Sequence, residues 1–298
     1  MAGRRSTPRR RGLAIAAICV GLVPALLLAE LALRAVSGGG GRIFVSSDVP
    51  GLIYASVPGA SGVRGGDGDL APWPVSIDAR GARLDPTGDP TCADIWVFGD
   101  SYPFGWGVED GQAWPARLGP ALESAFGCRA RVSNFGLPGY HLGQVEALLR
   151  HRLQTERPSH LVIHVEEFDG FPDYDFSNPF GLPRWLASSG LIRPLQVFAV
   201  ARFDRSIVES QEATEAQTAV LVERVGSLGA FLATAGIPAL VVIEPEVHAD
   251  VRDAIRAAIS PPLDLQPCDR LRFATDPHYT PAGNACVAGL VAEVVTPE

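Results

Sequence analysis

The run Ile95-Trp96-Val97-Phe98-Gly99-Asp100-Ser101 drives a string of β-forming residues straight into a hydroxyl. A strand that ends this way sets one side chain at the mouth of a parallel sheet, where a base and backbone donors can converge on it. Ser101 is therefore the candidate nucleophile. Gly-Asp-Ser alone is also ordinary turn chemistry, so the reading depends on partners elsewhere in the chain. Among the six histidines, His278 is the best candidate base, because it lies in a loop before the last helix with Asp276 two residues ahead. In an extended Asp-x-His stretch both side chains face the same way, and the carboxylate can hold the far ring nitrogen. A second strand runs into Asn134-Phe135-Gly136. A glycine there lets its N–H approach an oxyanion beside the N–H of Ser101. A plain strand-to-helix turn explains Gly139 equally well and Gly136 less well.

These residues need a scaffold, and the hydrophobic pattern supplies one. Short apolar runs at 95–98, 130–133, 161–165 and 239–243 read as strands. Helical patterns fall at 113–125, 142–154, 213–235, 249–258 and 281–295, the last capped by Thr280 with Pro281 in its first turn. Strand–helix alternation with continuously apolar strands predicts an α/β fold, a parallel sheet with helices on both faces. Residues 166–205 carry many aromatic, proline and glycine residues and read as an insert.

Several ordered blocks carry a resemblance. Gly99-Asp100-Ser101 with Phe104-Gly105-Trp106-Gly107-Val108 and Trp114-Pro115-Ala116-Arg117, then Asn134-Phe135-Gly136 with Pro138-Gly139-Tyr140, then Asp276-Pro277-His278 with Gly283, resemble the SGNH/GDSL hydrolase superfamily, most closely its bacterial membrane-anchored members. The likeness spans about residues 75–295. It implies a three-layer flavodoxin-like domain, Ser101 as nucleophile, His278 as base and Asp276 as its orienter. The backbone of Ser101 and Gly136 would line the oxyanion hole. The implied chemistry is ester hydrolysis or acyl transfer through an acyl-serine, with no metal and no organic cofactor.

Two positions depart from the family. Phe168 stands where the third block has an asparagine donor, and loss of one oxyanion donor typically costs about 3 kcal/mol. Asn134, Asn178 or a backbone N–H are the candidate substitutes. Family members often place the acid three residues before the histidine, which is Thr275 here; the Asp-x-His variant resembles polysaccharide O-acetyltransferases. Glu166 and Glu167 are read as loop-solvated carboxylates and His164 as a satisfied core histidine. Trp106, Phe171, Tyr174 and Trp185 are candidates for a substrate pocket, those from 171 to 185 as part of a lid, while Trp114 reads as core.

Charge and composition settle the surroundings. Five arginines crowd residues 4–11, and residues 13–29 hold no charge. The chain is thus read as a basic cytoplasmic tail (1–12), a transmembrane anchor (13–34), a linker and irregular lead-in (35–91) and a hydrolase domain (92–298). A cleaved signal peptide is the alternative, but its apolar core is usually shorter and followed by a small-x-small site. This predicts a single-pass inner-membrane protein whose domain is periplasmic or extracellular. Without the five N-terminal arginines, Arg34 and Glu30, 19 basic residues face 32 acidic ones, a net charge of −13, which argues against nucleic acid as a partner. Of the cysteines beyond the span, Cys92 and Cys128 each precede a predicted strand, so Cys92–Cys128 and Cys268–Cys286 are the expected disulfides. No Cys-x-x-Cys or Cys/His cluster suggests a metal site. The sequence therefore points to a membrane-tethered serine esterase acting on an acyl ester or acylated glycan. A cell-envelope polysaccharide O-acyltransferase and a catalytically degenerate glycan-binding protein are the alternatives.

Overall fold

The computed structural model describes residues 21, 22, 24–32, 43–65, 69–83, 88–170, 182, 183, 192 and 215–297. Within the expected anchor, residues 21, 22 and 24–32 are helical and expose Leu22, Leu26, Leu27, Leu28 and Leu31. The rest of the 13–34 span lies outside the described residues.

The lead-in is more regular than its Gly/Pro content suggests. Strand β1 (Phe44–Ser46) pairs antiparallel with β2 (Tyr54–Ser56), and β3 (Ser61–Arg64) with β4 (Trp73–Ser76). Both hairpins lie on the main domain. Ile43, Leu70, Trp73, Val75 and Ile77 bury themselves with Phe104 in one apolar cluster. Gly and Pro weaken strand propensity, but packing on a neighbour outweighs it.

Five parallel strands follow: β5 (Asp89–Phe98), β6 (Ala130–Asn134), β7 (His160–Val165), β8 (Ala239–Ile243) and β9 (Leu263–Asp264). Their spatial order is β6-β5-β7-β8-β9, the flavodoxin-like order 2-1-3-4-5. After the first parallel strand, the α-helices among the described residues are α1 (Ser101–Phe104), α2 (Trp114–Phe126), α3 (Leu142–Arg152), α4 (Glu215–Ala235), α5 (Ala249–Ala258) and α6 (Pro281–Val294). Side chains of β5 alternate as a strand requires. Ile95 and Val97 enter one core with Trp114 and Leu118 of α2 and Val287 of α6. Trp96 and Phe98 enter the other with Leu149 of α3, Val225 of α4 and Ile255 of α5. Helix α4 is long and apolar enough to cross a membrane by composition, yet Leu221, Val225, Leu228 and Leu232 are buried in this second core.

The differences from sequence expectation have local causes. Strand β5 begins at Asp89 rather than residue 95, because its first part is a polar, exposed extension with a register shift between Asp89 and Asp94. Strand β9 has two residues, too few to show any periodicity. Both expected disulfides are present, with Cα atoms 6.0 Å apart in Cys92–Cys128 and 5.8 Å in Cys268–Cys286.

Candidate active site

Register across the sheet decides which residues can meet. Phe98 pairs with Ile163, Val97 with Asn134, and Val165 with Ile243, so the carboxyl ends of β5, β6, β7 and β8 lie level. The order of strands reverses between β5 and β7, which is where doubly wound folds open a crevice. Gly99 turns the chain out of β5 at φ +148°, and a Cβ there would stand 2.8 Å from the His164 Cβ. Asp100 then caps α1, its Oδ1 accepting from Tyr102 N at 3.0 Å, which presents Ser101 as the first residue of that turn. Buried Arg83 fixes the other end of the turn, donating to the carbonyls of Phe104, Gly105 and Val108 and pairing with Asp110.

His278 arrives from the loop ahead of α6. Its Nε2 lies 2.7 Å from Ser101 Oγ, and its Nδ1 lies 2.6 Å from Asp276 Oδ1. The same carboxylate oxygen accepts the His278 backbone N–H at 2.9 Å. The Asp-x-His spacing thus makes a local turn, with Asp276 holding both ring and backbone of the residue two positions on. Burial would raise the Asp276 pKa, but the hydrogen bond and positive charge of His278 hold it below the ordinary carboxylate value. Asp69, reaching in from the lead-in, accepts from the backbone of Ala274 at 2.6 Å and bonds Thr275. Thr275 is therefore tied to the lead-in and not to His278. Trp106 stands with its ring centroid 6.1 Å from that of His278 and packs edge-on against Trp73. Phe171, Tyr174, Asn178 and Trp185 lie outside the described residues.

The expectation of a free Gly136 donor needs correction. Its N–H donates to Asn134 Oδ1 at 3.0 Å, and Asn134 Nδ2 donates to Pro103 O at 2.6 Å. Asn134 thus stitches the end of β6 to α1, committing one of its two Nδ2–H donors to Pro103 O. Gly136 is required for another reason: a Cβ there would come within 2.6 Å of Phe104 N. Phe168 lies in the single 3-10 turn Glu167–Gly170 that follows β7.

A buried ionic network beneath Ser101 was missed by sequence reasoning. Asp100 Oδ2 lies 3.4 Å from Ser101 Oγ, and Asp100 Oδ1 lies 3.4 Å from His164 Nδ1. His164 Nε2 meets Glu244 Oε1 at 2.7 Å, and Glu244 Oε2 accepts from Arg272 at 2.8 Å and from Tyr279 OH at 2.7 Å. Burial disfavours the His164 imidazolium, but hydrogen bonds and charges of Asp100 and Glu244 outweigh it, and its pKa is pushed up to about 10. His164 is a core histidine, as expected, yet a charged one. Asp100 answers in kind: burial would raise its pKa, and His164 brings it below the ordinary value. Glu166 is not the solvated carboxylate expected. The residue keeps some surface in solvent while its carboxyl turns inward to Asp100, and burial followed by the charges of Asp100 and Asp169 keeps it protonated well above the usual range. Burial and the Asp100 charge likewise push Asp169 up to about 8. The sequence held one clue to this network, the uncommon charge of Glu244 placed directly after the apolar strand β8.

No family model and no curated protein matches the chain. Solved structures with similar folds include TesA, at 18% identity and a TM-score of 0.44 over 66% of this chain and 95% of that one. Another is the psychrotrophic esterase EstA from Pseudoalteromonas sp., at 12% identity and 0.43 over 67% and 95%. A third is a member of the lipolytic G-D-S-L family from Veillonella parvula, at 15% identity and 0.40 over 67% and 97%.

Proposed function

We propose that this chain is a membrane-tethered, extracytoplasmic serine esterase of the SGNH type. The observation that carries the reading is the pair of contacts on one imidazole, 2.7 Å to Ser101 Oγ and 2.6 Å to Asp276 Oδ1. In the proposed reaction Ser101 Oγ attacks an ester carbonyl carbon while His278 Nε2 takes the hydroxyl proton. Asp276 stabilises the imidazolium, and the Ser101 N–H donates to the oxyanion. As the tetrahedral intermediate collapses, His278 returns the proton to the leaving alcohol. Water, deprotonated by the same ring, then releases the acid from the acyl-serine. Arginines ahead of the 13–34 span, the exposed leucines of the helical part and the two disulfides support the tethered, oxidising location.

One observation favours the non-catalytic glycan-binding alternative: the Gly136 N–H is already committed to Asn134. The two readings separate in one experiment on the full-length protein in detergent. The esterase reading expects cleavage of p-nitrophenyl acetate and labelling by a fluorophosphonate, both abolished in Ser101→Ala. Absence of both in the wild-type protein would falsify it and leave the binding reading.

A further inference from the structure

The Pro277–His278 peptide is held at each of its polar atoms. Its carbonyl oxygen accepts from Arg272 Nη1 at 3.1 Å and from Tyr102 OH at 3.3 Å, while its N–H donates to Asp276 Oδ1 at 2.9 Å. The next carbonyl, that of His278, accepts from Phe273 N at 3.0 Å. The imidazole hangs from the Cα between these two fixed peptides. Its Nε2, the atom nearest Ser101, is far from the backbone and so moves most when that peptide rotates.

Arg272 is itself fixed. One terminal nitrogen reaches Tyr102 OH at 2.8 Å, and the other reaches Glu244 Oε2 at 2.8 Å and Glu246 Oε2 at 3.3 Å. Its Nε lies 2.8 Å from Asp269 Oδ1. Glu244 is anchored from behind by His164 at 2.7 Å, and His164 approaches Asp100, the neighbour of Ser101. The contacts therefore form a closed circuit. It starts at the nucleophile, passes through Asp100, His164, Glu244, Arg272 and Pro277, and returns to Ser101 through His278. Two cations and two carboxylates balance along it, as burial of charge demands. A planar guanidinium, which meets the carbonyl and the phenol from one terminal nitrogen and the carboxylate from the other, suits such a junction, whereas an ammonium presents its three donors from a single point.

We propose that Arg272 is a positioning residue which, anchored on Glu244 and His164, grips the Pro277–His278 peptide and holds the imidazole on Ser101. The proposal rests on the esterase reading for its kinetic consequence and on geometry alone for its structural one. A displacement of about 1 Å at a reacting group can cost about 100-fold in rate. Arg272→Gln in the full-length protein is therefore expected to lower kcat and the fluorophosphonate labelling rate, per titrated site, by about 10- to 100-fold, with KM changed by less than about 2-fold. Amide exchange across residues 273–279 should quicken. Tyr102→Phe, which keeps the ring beside His164 but deletes the hydroxyl, should move each readout the same way by less. The double variant should be no slower than Arg272→Gln, since both act on one peptide.

Arg131→Gln, which breaks an ion pair with Asp94 at the opposite end of the sheet, should lower Tm without changing the rate per site. If Arg272→Gln does not fold, Arg272→Lys keeps the charge beside Glu244 and should show the same loss of rate. The proposal is overturned if Arg272→Gln or Arg272→Lys matches wild type in rate per folded site and in loop exchange. A wild-type protein that is never labelled sinks the esterase reading instead, and the exchange measurement still decides the clamp.

Discussion

Raising the pH should unfold this protein early. Three buried groups keep protons in the folded state that an unfolded chain gives up: Asp169, with its pKa pushed up to about 8, His164, at about 10, and Glu166, well above its ordinary value. In the unfolded chain the two acids release theirs near pH 4 and the histidine near pH 6.5, roughly. Each raised group stabilises the fold fully below its unfolded pKa and loses that contribution as pH climbs through its folded one. Stability falls with pH wherever the folded state binds more protons, by about 1.4 kcal/mol per unit for each extra proton. His164 and Asp169 each hold one proton more than in the unfolded chain, so these two alone give a slope of about −3 kcal/mol per unit between pH 6.5 and 8, and Glu166 acts in the same direction. Above pH 8 the Asp169 contribution is lost, and the His164 share of the slope is about −1.4 kcal/mol per unit until pH 10. From pH 7 to 9 the loss is on the order of 4 kcal/mol, a large part of the 5–15 kcal/mol of a typical domain, roughly. Urea unfolding of the full-length protein in detergent at pH 6, 7, 8 and 9 measures this directly through the midpoint. Asp169→Asn should flatten the fall below pH 8, and His164→Gln should flatten it above. A midpoint that stays level or rises between pH 7 and 9 would refute the reasoning.

Two further outcomes follow from the site and its supports. Asp276→Asn removes the charge beside His278 Nδ1 and lets an amide N–H face the ring, which favours the wrong tautomer; kcat should fall by about 10²- to 10⁴-fold with KM little changed, read by steady-state ester hydrolysis. Reducing the disulfides, which close loops of 36 and 18 residues, should cost about 3–4 kcal/mol each, seen as a lower Tm in dithiothreitol, and an unchanged Tm would contradict it.

The sequence alone determined the alternating strands and helices, because residues one or two turns apart must share an environment and so leave a period in the chain. It also determined the local devices: the glycine turn into Asp100 and Ser101, the Asp276 hold on His278, and the Thr280 cap of α6. These depend on neighbours within a few positions, where residue type fixes geometry directly. The disulfides were legible for a related reason: Cys92 lies in β5 and Cys128 just ahead of its neighbour β6, and joining these two leaves Cys268 for Cys286.

Only the tertiary structure decided that the Gly136 N–H is spent on Asn134, that Glu166 turns inward, and that His164 carries charge between Asp100 and Glu244. It also brought Arg272 against Tyr102, 170 positions away, and both onto the Pro277 carbonyl. Short strands and hairpins such as β9 and β3–β4 belong to the same class, since packing and not pattern forms them. A buried charge acquires its protonation state from whatever groups the fold places against it. Those partners lie on different strands and loops, so no local stretch of sequence contains the information.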